Sequence, residues 1–285
     1  MIKLFAADLD GTLLNALHQV DRTIARAVNT VVDSGAHMVI ATGRTMLSNN
    51  EHGFDGLPVE MCSANGSIVV GREGVLKTFP VQPRLLEELL PAFPDICFDC
   101  ITLEGTFATG TPEMRAEGFG ADPWWRRIAL RGMRQVQQES IFFETPLAEL
   151  LERTVLKVNC RVADPARGEE LKAFLAERPE LVVNAPFSPV MFEMTDPAVN
   201  KGVAIAWLAR YYGYTEDEVA VYGDGGNDIA MLERFKHAYA TSNGSDDAKR
   251  AAGNVIGSCR FHAVPRHMMA TVRRQGRVAS YIRIE

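Results

Sequence analysis

Lys3 to Leu14 reads KLFAADLDGTLL, and this stretch decides how the rest of the chain is arranged. Leu4, Phe5, Ala6 and Ala7 form an apolar run of the kind that makes a buried strand, and the run ends abruptly in Asp8-Leu9-Asp10-Gly11-Thr12. Alternation along an extended chain places Asp8 and Asp10 on one side, and Gly11 permits a sharp turn beside them. Two carboxylates ~4 Å apart repel by roughly 4 kcal/mol at an effective dielectric of ~20, so the pair needs a cation, a shared proton or open water. A divalent metal is the simplest solution.

Beyond this turn, Asp21-Arg22-Thr23 opens a helix whose apolar positions Ile24, Ala27, Val28, Val31 and Val32 have helical spacing, with Gly35 placed to stop it. The strand His37–Ala41 follows and ends in Thr42-Gly43-Arg44. A strand, helix, strand order implies parallel strands with their carboxyl ends at one edge, so Asp8, Asp10 and Thr42 converge. The Thr42 hydroxyl can donate to an anion there, joined by the backbone N–H groups of Gly43 and its successors at an expected helix start. A further strand, Val59–Cys62, runs into Ser63-Ala64-Asn65-Gly66-Ser67, and a hairpin over 68–79 turns between Gly71 and Gly74.

Composition and rhythm change near Val81-Gln82-Pro83. Residues 82–197 read as an inserted unit of helices against a mostly antiparallel sheet, and 1–81 with 198–285 as an α/β unit built on a parallel sheet. In the insert, the helices are expected near 85–90 and 169–177, with an irregular stretch across 110–139. Trp124-Trp125-Arg126-Arg127 offers stacking faces and anion-binding forks within that stretch. Cys97 and Cys100 make the one C-x-x-C pair, but they sit in a strand-like DICFDCI without a second pair or a spaced His, which argues against zinc or redox chemistry.

The chain then returns to the first unit. Asn200-Lys201-Gly202 precedes an apolar helix over 203–212, and a cation at a helix N-terminus runs against the helix dipole, which points to an anionic partner. The strand Glu218–Tyr222 breaks into Gly223-Asp224-Gly225-Gly226-Asn227-Asp228. Its glycines allow close backbone approach, and Asp224 and Asp228 bring the acids expected at this edge to four with Asp8 and Asp10. So many carboxylates imply Mg²⁺, a hard cation that takes oxygen ligands.

With 285 residues, 47% of them hydrophobic, the chain is long enough for one large or two modest domains. A net charge of −6 provides no global basic field, so nucleic acid and anionic membrane surfaces are not expected partners. No apolar run approaches the ~20 residues that span a bilayer, and the N-terminal segment enters a strand directly, so a cytoplasmic location is expected. Five scattered cysteines suit a reducing compartment. Oligomeric state and the identity of the substrate are not written in the sequence.

The DLDGTLL, TGR, NKG and GDGGND segments, in this order, resemble the four motifs of the haloacid dehalogenase superfamily, and Asn65-Gly66 with the large insert resembles its Cof-type branch. That resemblance implies a Rossmann-like core with an α/β cap. It also implies a Mg²⁺-dependent phosphatase acting on a small phosphorylated metabolite, such as a sugar phosphate or phosphorylated cofactor. Asp8 is then the nucleophile and Asp10 the general acid and base, while Thr42, Gly43, Lys201 and Asn227 hold the phosphate. The metal falls to Asp8, the Asp10 backbone carbonyl and Asp224, with Asp228 in support. Two segments depart from the pattern: Ala240-Thr241-Ser242-Asn243-Gly244, which keeps the Asn in a changed setting, and Phe261-His262-Ala263-Val264-Pro265. A phosphomutase on the same core, and a catalytically silent metabolite sensor, are the alternatives. P-type ATPases share the Asp-x-x-Gly-Thr theme, but Asp10 replaces their Lys.

Overall fold

The structure is a computed structural model that describes residues 1–48, 50, 53–118, 140–185 and 190–282. The chain divides into two compact units, 1–78 with 198–285 and 79–197.

In the first unit, β1 (Leu4–Ala7) leads through an irregular turn to α1 (Arg22–Asp33), β2 (His37–Ala41), β3 (Glu60–Ser63) and the hairpin β4 (Ile68–Gly71) and β5 (Gly74–Thr78). Asp21 caps α1 by accepting the N–H groups of Thr23 and Ile24, and the stripe Ile24, Ala27, Val28 and Val31 is buried. All four residues of β1 are buried, as expected for a strand covered on both faces.

The second unit contains α2 (Pro83–Ala92), β6 (Phe98–Ile101), β7 (Thr106–Ala108), α3 (Pro112–Glu117), β8 (Ile141–Phe142) and α4 (Leu147–Leu151). These are followed by β9 (Lys157–Arg161), α5 (Pro165–Ala176), β10 (Val183–Asn184) and β11 (Met191–Thr195). Its strands lie in the order β10-β11-β9-β6-β7-β8, antiparallel except for the β7–β8 pair. Phe98, Cys100, Val158, Phe192 and Met194 from the sheet pack with Leu85, Leu89, Leu150, Leu171 and Leu175 from the helices. Alternation therefore places Asp99, Lys157, Asn159 and Glu193 on the opposite face, where Lys157 and Glu193 form a buried ion pair. Helix α5 starts four residues earlier than the sequence reading placed it, because Asp164 accepts the Ala166 N–H and Pro165 fits the first turn. All five cysteines are free and buried, and burial pushes the Cys97 and Cys100 thiols up, which agrees with a structural role. Trp124 to Arg127 lie outside the described residues.

The chain completes the first unit with α6 (Lys201–Tyr211), β12 (Val219–Gly223), α7 (Ile229–Arg234), β13 (His237–Thr241), α8 (Asp246–Ala252), β14 (Val255–Ile256) and α9 (Ala263–Ile282). The sheet order is β14-β13-β12-β1-β2-β3-β4-β5, parallel from β14 to β3 and closed by the antiparallel hairpin. Among the described residues no helix is long and apolar enough to cross a membrane.

Candidate active site

Strand β1 pairs in parallel with both β2 and β12, with Ala7 opposite Ile40 and Tyr222, so the residues that follow all three strands emerge at one sheet edge. Asp8 leaves β1 with its N–H donated to the Tyr222 carbonyl at 2.9 Å. The chain then winds through the turn Leu9–Leu13, which the Leu13 N–H closes onto the Asp8 carbonyl at 3.2 Å. Gly11 is left-handed here (φ +81°), and a Cβ on it would stand 2.2 Å from Asp224 Oδ2, so this backbone approach excludes any side chain. Thr12 donates its hydroxyl to Asp224 Oδ1 at 3.0 Å.

Carboxylate oxygens of Asp8, Asp224 and Asp228 lie within 4.8 Å of one another. Into this group projects Lys201, the first residue of α6, whose Nζ is 2.6 Å from Asp8 Oδ1 and 2.7 Å from Asp228 Oδ1. Asn200 caps that helix through the Val203 N–H. Asp228 turns its other oxygen to the N–H groups of Asp224 and Gly225, at 2.9 and 3.0 Å. The carboxyl of Asp8 is raised well above the ordinary range by burial first and then by Asp228 and Asp224, with Lys201 opposing. Burial and Asp228 raise Asp224 as well. For Lys201, burial acts to lower the pKa, but Asp228 and Asp8 outweigh it and the ammonium is held charged. Three carboxylates against one ammonium leave two negative charges uncompensated when all are ionised. An all-oxygen group with surplus negative charge fits a hard divalent cation.

The Asp10 carboxylate is not part of that group. Arg44 grips both its oxygens, Nε to Oδ2 at 2.8 Å and Nη2 to Oδ1 at 2.6 Å, with His18 Nδ1 at 3.4 Å from Oδ1. The two acids of the DLD stretch thus meet separate cations, Lys201 for Asp8 and Arg44 for Asp10. After Thr42 the described residues form no helix, contrary to the sequence expectation. The Arg44 N–H instead turns back to Thr42 Oγ1 at 3.1 Å, leaving the single hydroxyl hydrogen of Thr42 available for an anion.

Asn65 and Gly66 join these pieces. Ala64, Asn65 and Gly66 are all left-handed, at φ +52°, +57° and +101°. Asn65 donates its N–H to the Thr42 carbonyl at 3.0 Å and accepts from Asn227 Nδ2 at 3.2 Å. Gly43 sits against both amides: a Cβ on it would lie 2.9 Å from Asn65 Oδ1 and 3.5 Å from Asn227 Nδ2. On the far side, Asn243 donates to the Gly11 carbonyl at 2.8 Å while its Oδ1 accepts the Cys259 N–H at 2.9 Å. Asn243 thereby ties in the first departing segment, and the second is held through His262, whose Nε2 is 2.6 Å from Asp21 Oδ2. The sequence reading assigned no site role to Thr12, His18, Arg44 or Asn243. Of these, Arg44, in the same TGR as Thr42, carried the clearest signal.

A family model for haloacid dehalogenase-like hydrolases matches residues 5–268. The chain is 26% identical over 252 residues to a 5-amino-6-(5-phospho-D-ribitylamino)uracil phosphatase of Bacillus subtilis, covering 88% of each chain. It is 25% identical over 277 residues to an HMP-PP phosphatase of Yersinia enterocolitica, covering 94% of each. Among solved structures, a haloacid dehalogenase-like hydrolase from B. subtilis superposes with a TM-score of 0.78 at 22% identity, over 94% of this chain and 99% of that one, a likeness of fold. With the motif residues gathered at one sheet edge and the match running through almost the whole polypeptide, the chain belongs to the haloacid dehalogenase-like hydrolases, in their Cof-type branch of phosphatases.

Proposed function

We propose that this protein is a Mg²⁺-dependent phosphatase that hydrolyses small phosphomonoesters, sugar phosphates or phosphorylated cofactors, through an aspartyl-phosphate on Asp8. The observation that carries this reading is the buried contact of Lys201 with Asp8, 2.6 Å, inside a carboxylate group that lacks enough positive charge. A phosphate approaching a carboxylate is an anion meeting an anion, and a fixed ammonium beside the nucleophile removes part of that repulsion. Asp8, Asp224 and the Asp10 carbonyl would hold Mg²⁺, with Asp228 in support; when bound, the ion supplies positive charge to the phosphoryl oxygens.

In the first step an Asp8 oxygen bonds to phosphorus as the bond to the leaving oxygen breaks, and Asp10 gives that oxygen a proton. In the second, Asp10 takes a proton from water, whose oxygen attacks phosphorus and releases inorganic phosphate and free Asp8. The Thr42 hydroxyl, the Gly43 N–H and Lys201 hold the phosphoryl oxygens, and Asn227 orients the nucleophile side of the site. The small phosphorylated metabolites in the names of the two curated relatives support the substrate class.

A panel of sugar phosphates, nucleotides, pyridoxal phosphate and flavin precursors, assayed for phosphate release with Mg²⁺ and with EDTA, tests the reading. Steady Mg²⁺-dependent release that disappears in Asp8→Asn is expected. Interconversion of isomers with little release would replace it with a mutase, and ligand-shifted melting without turnover with a sensor.

A further inference from the structure

The turn after β3 is strained. Ala64, Asn65 and Gly66 are consecutive left-handed residues, at φ +52°, +57° and +101°, and only the last is a glycine. A residue with a Cβ carries a steric penalty in this region, and such a penalty persists where the surroundings fix the backbone. Here they do so with three hydrogen bonds: the Ala64 N–H donates to the Arg44 carbonyl at 2.8 Å, the Asn65 N–H to the Thr42 carbonyl at 3.0 Å, and the Ser63 hydroxyl to the Met46 carbonyl at 2.7 Å. The turn therefore grips the loop that carries Thr42 by its carbonyls.

The Asn65 side chain is buried, and its Oδ1 accepts from Asn227 Nδ2 at 3.2 Å. Its own Nδ2 is buried and has no hydrogen-bond partner among the described residues. An unpaired buried donor is unfavourable, yet turning the amide over would set Nδ2 against Asn227 Nδ2, donor facing donor. The contact with Asn227 therefore decides how the Asn65 amide points, and it fixes Asn227 in return. One N–H of Asn227 goes to Asn65, and the rigid plane of the amide sets the direction of the other. Asn227 Oδ1 is left on the Gly225 side, 3.2 Å from where a Cβ on Gly225 would stand. The paired amides lie against Gly43, next to Thr42, where a Cβ would stand 2.9 Å from Asn65 Oδ1.

We infer that Asn65 is a positioning residue for phosphoryl transfer: its carboxamide holds the Asn227 amide so that the second N–H serves the nucleophile side of the phosphate site, while its backbone N–H holds Thr42. That role rests on the phosphatase reading, whereas the hold on Asn227 does not.

Asn65→Gly keeps the left-handed backbone and its N–H and removes only the carboxamide. In the full protein with Mg²⁺ it is expected to lower kcat at least about tenfold, with KM within about threefold of wild type. Asn227→Ala is expected to lose about as much, and the double variant no more than about threefold beyond the worse single variant, because the two changes break one contact. A second readout needs no turnover. The side-chain amide protons of Asn227, assigned in ¹⁵N-labelled protein by their loss in Asn227→Ala, are expected to exchange with solvent at least about tenfold faster in Asn65→Gly than in wild type. If Asn65→Gly does not fold, Asn65→Ser, whose hydroxyl is too short to reach Asn227, carries the same measurements. Losses that multiply in the double variant, wild-type kcat in Asn65→Gly, or Asn227 exchange unchanged by it would overturn the inference. Exchange that depends on Asn65 in a wild type releasing no phosphate supports the hold on Asn227 and counts against the phosphatase reading alone.

Discussion

Lys201 Nζ and Asp8 Oδ1 are 2.6 Å apart and both side chains are buried, although 193 residues separate them in sequence. The contact places a cation at the positive end of α6, where the helix dipole disfavours it, so it persists because Asp8 and Asp228 outweigh the dipole. Removing one partner of a buried pair costs about 3–5 kcal/mol through the charge left behind. Lys201→Met is therefore expected to lower the urea-unfolding free energy of the metal-free protein by about that amount and to abolish turnover. A variant as stable as wild type would show that the pair is not load-carrying in the fold.

Raised carboxyls make the metal-free protein sensitive to pH. Asp8 and Asp224 bind a proton more tightly folded than unfolded, so stability falls as pH rises from the ordinary value of 3.8 through their raised pKa values. Divalent cations compete with those protons, so Mg²⁺ affinity is expected to fall as pH falls and binding to release protons. Melting curves across about pH 4–8 should show a steeper decline in metal-free wild type than in Asp8→Asn, with Mg²⁺ restoring the wild type. Parallel curves for the two proteins would contradict this.

Arg44 holds both Asp10 oxygens, and in the proposed mechanism this grip fixes the direction in which Asp10 exchanges a proton. Arg44→Met is expected to lower kcat on alkyl phosphates up to about 100-fold, and much less on 4-nitrophenyl phosphate, whose leaving group needs little protonation. The ion pair is partly exposed, so stability should change by no more than about 1 kcal/mol. Equal losses on both substrates would remove Asp10 positioning as the role of Arg44.

At Gly66, φ is +101° and a Cβ would stand 2.6 Å from the Asn200 carbonyl oxygen, one residue before Lys201. Gly66→Ala is expected to cost roughly 1–3 kcal/mol in urea unfolding and to displace the start of α6, lowering kcat. Wild-type kcat in this variant would show that the Asn65-Gly66 turn does not position Lys201.

The strand ends and their acids were legible because buried parallel strands read as apolar runs, and polar residues placed just after them stand out. Asp8, Asp224 and Asp228 belong to such segments, whereas Lys201 stands out as a cation at the start of an apolar helix. The Asp10–Arg44 pair was not legible, since which cation a partly exposed acid takes depends on side-chain directions in two turns 34 residues apart, brought together by α1 and β2. Asn243 was noticed as retained, but its grip on Gly11 depends on β13 lying two strands from β1, which only the sheet order reveals. Likewise Asp99 and Asn159 become neighbours only through the β6–β9 register. The early start of α5 is written in Asp164-Pro165, a capping carboxylate followed by a proline that suits the first turn.

Phosphorylation of Asp8 itself is the most direct measurement. Protein mixed with excess substrate and Mg²⁺, quenched in acid within one turnover and digested, is expected to carry a phosphoryl group on the peptide holding Asp8, and Asp8→Asn to carry none and turn over nothing. Steady phosphate release with that peptide unmodified, or release persisting in Asp8→Asn, would show that the phosphoryl group never rests on this aspartate.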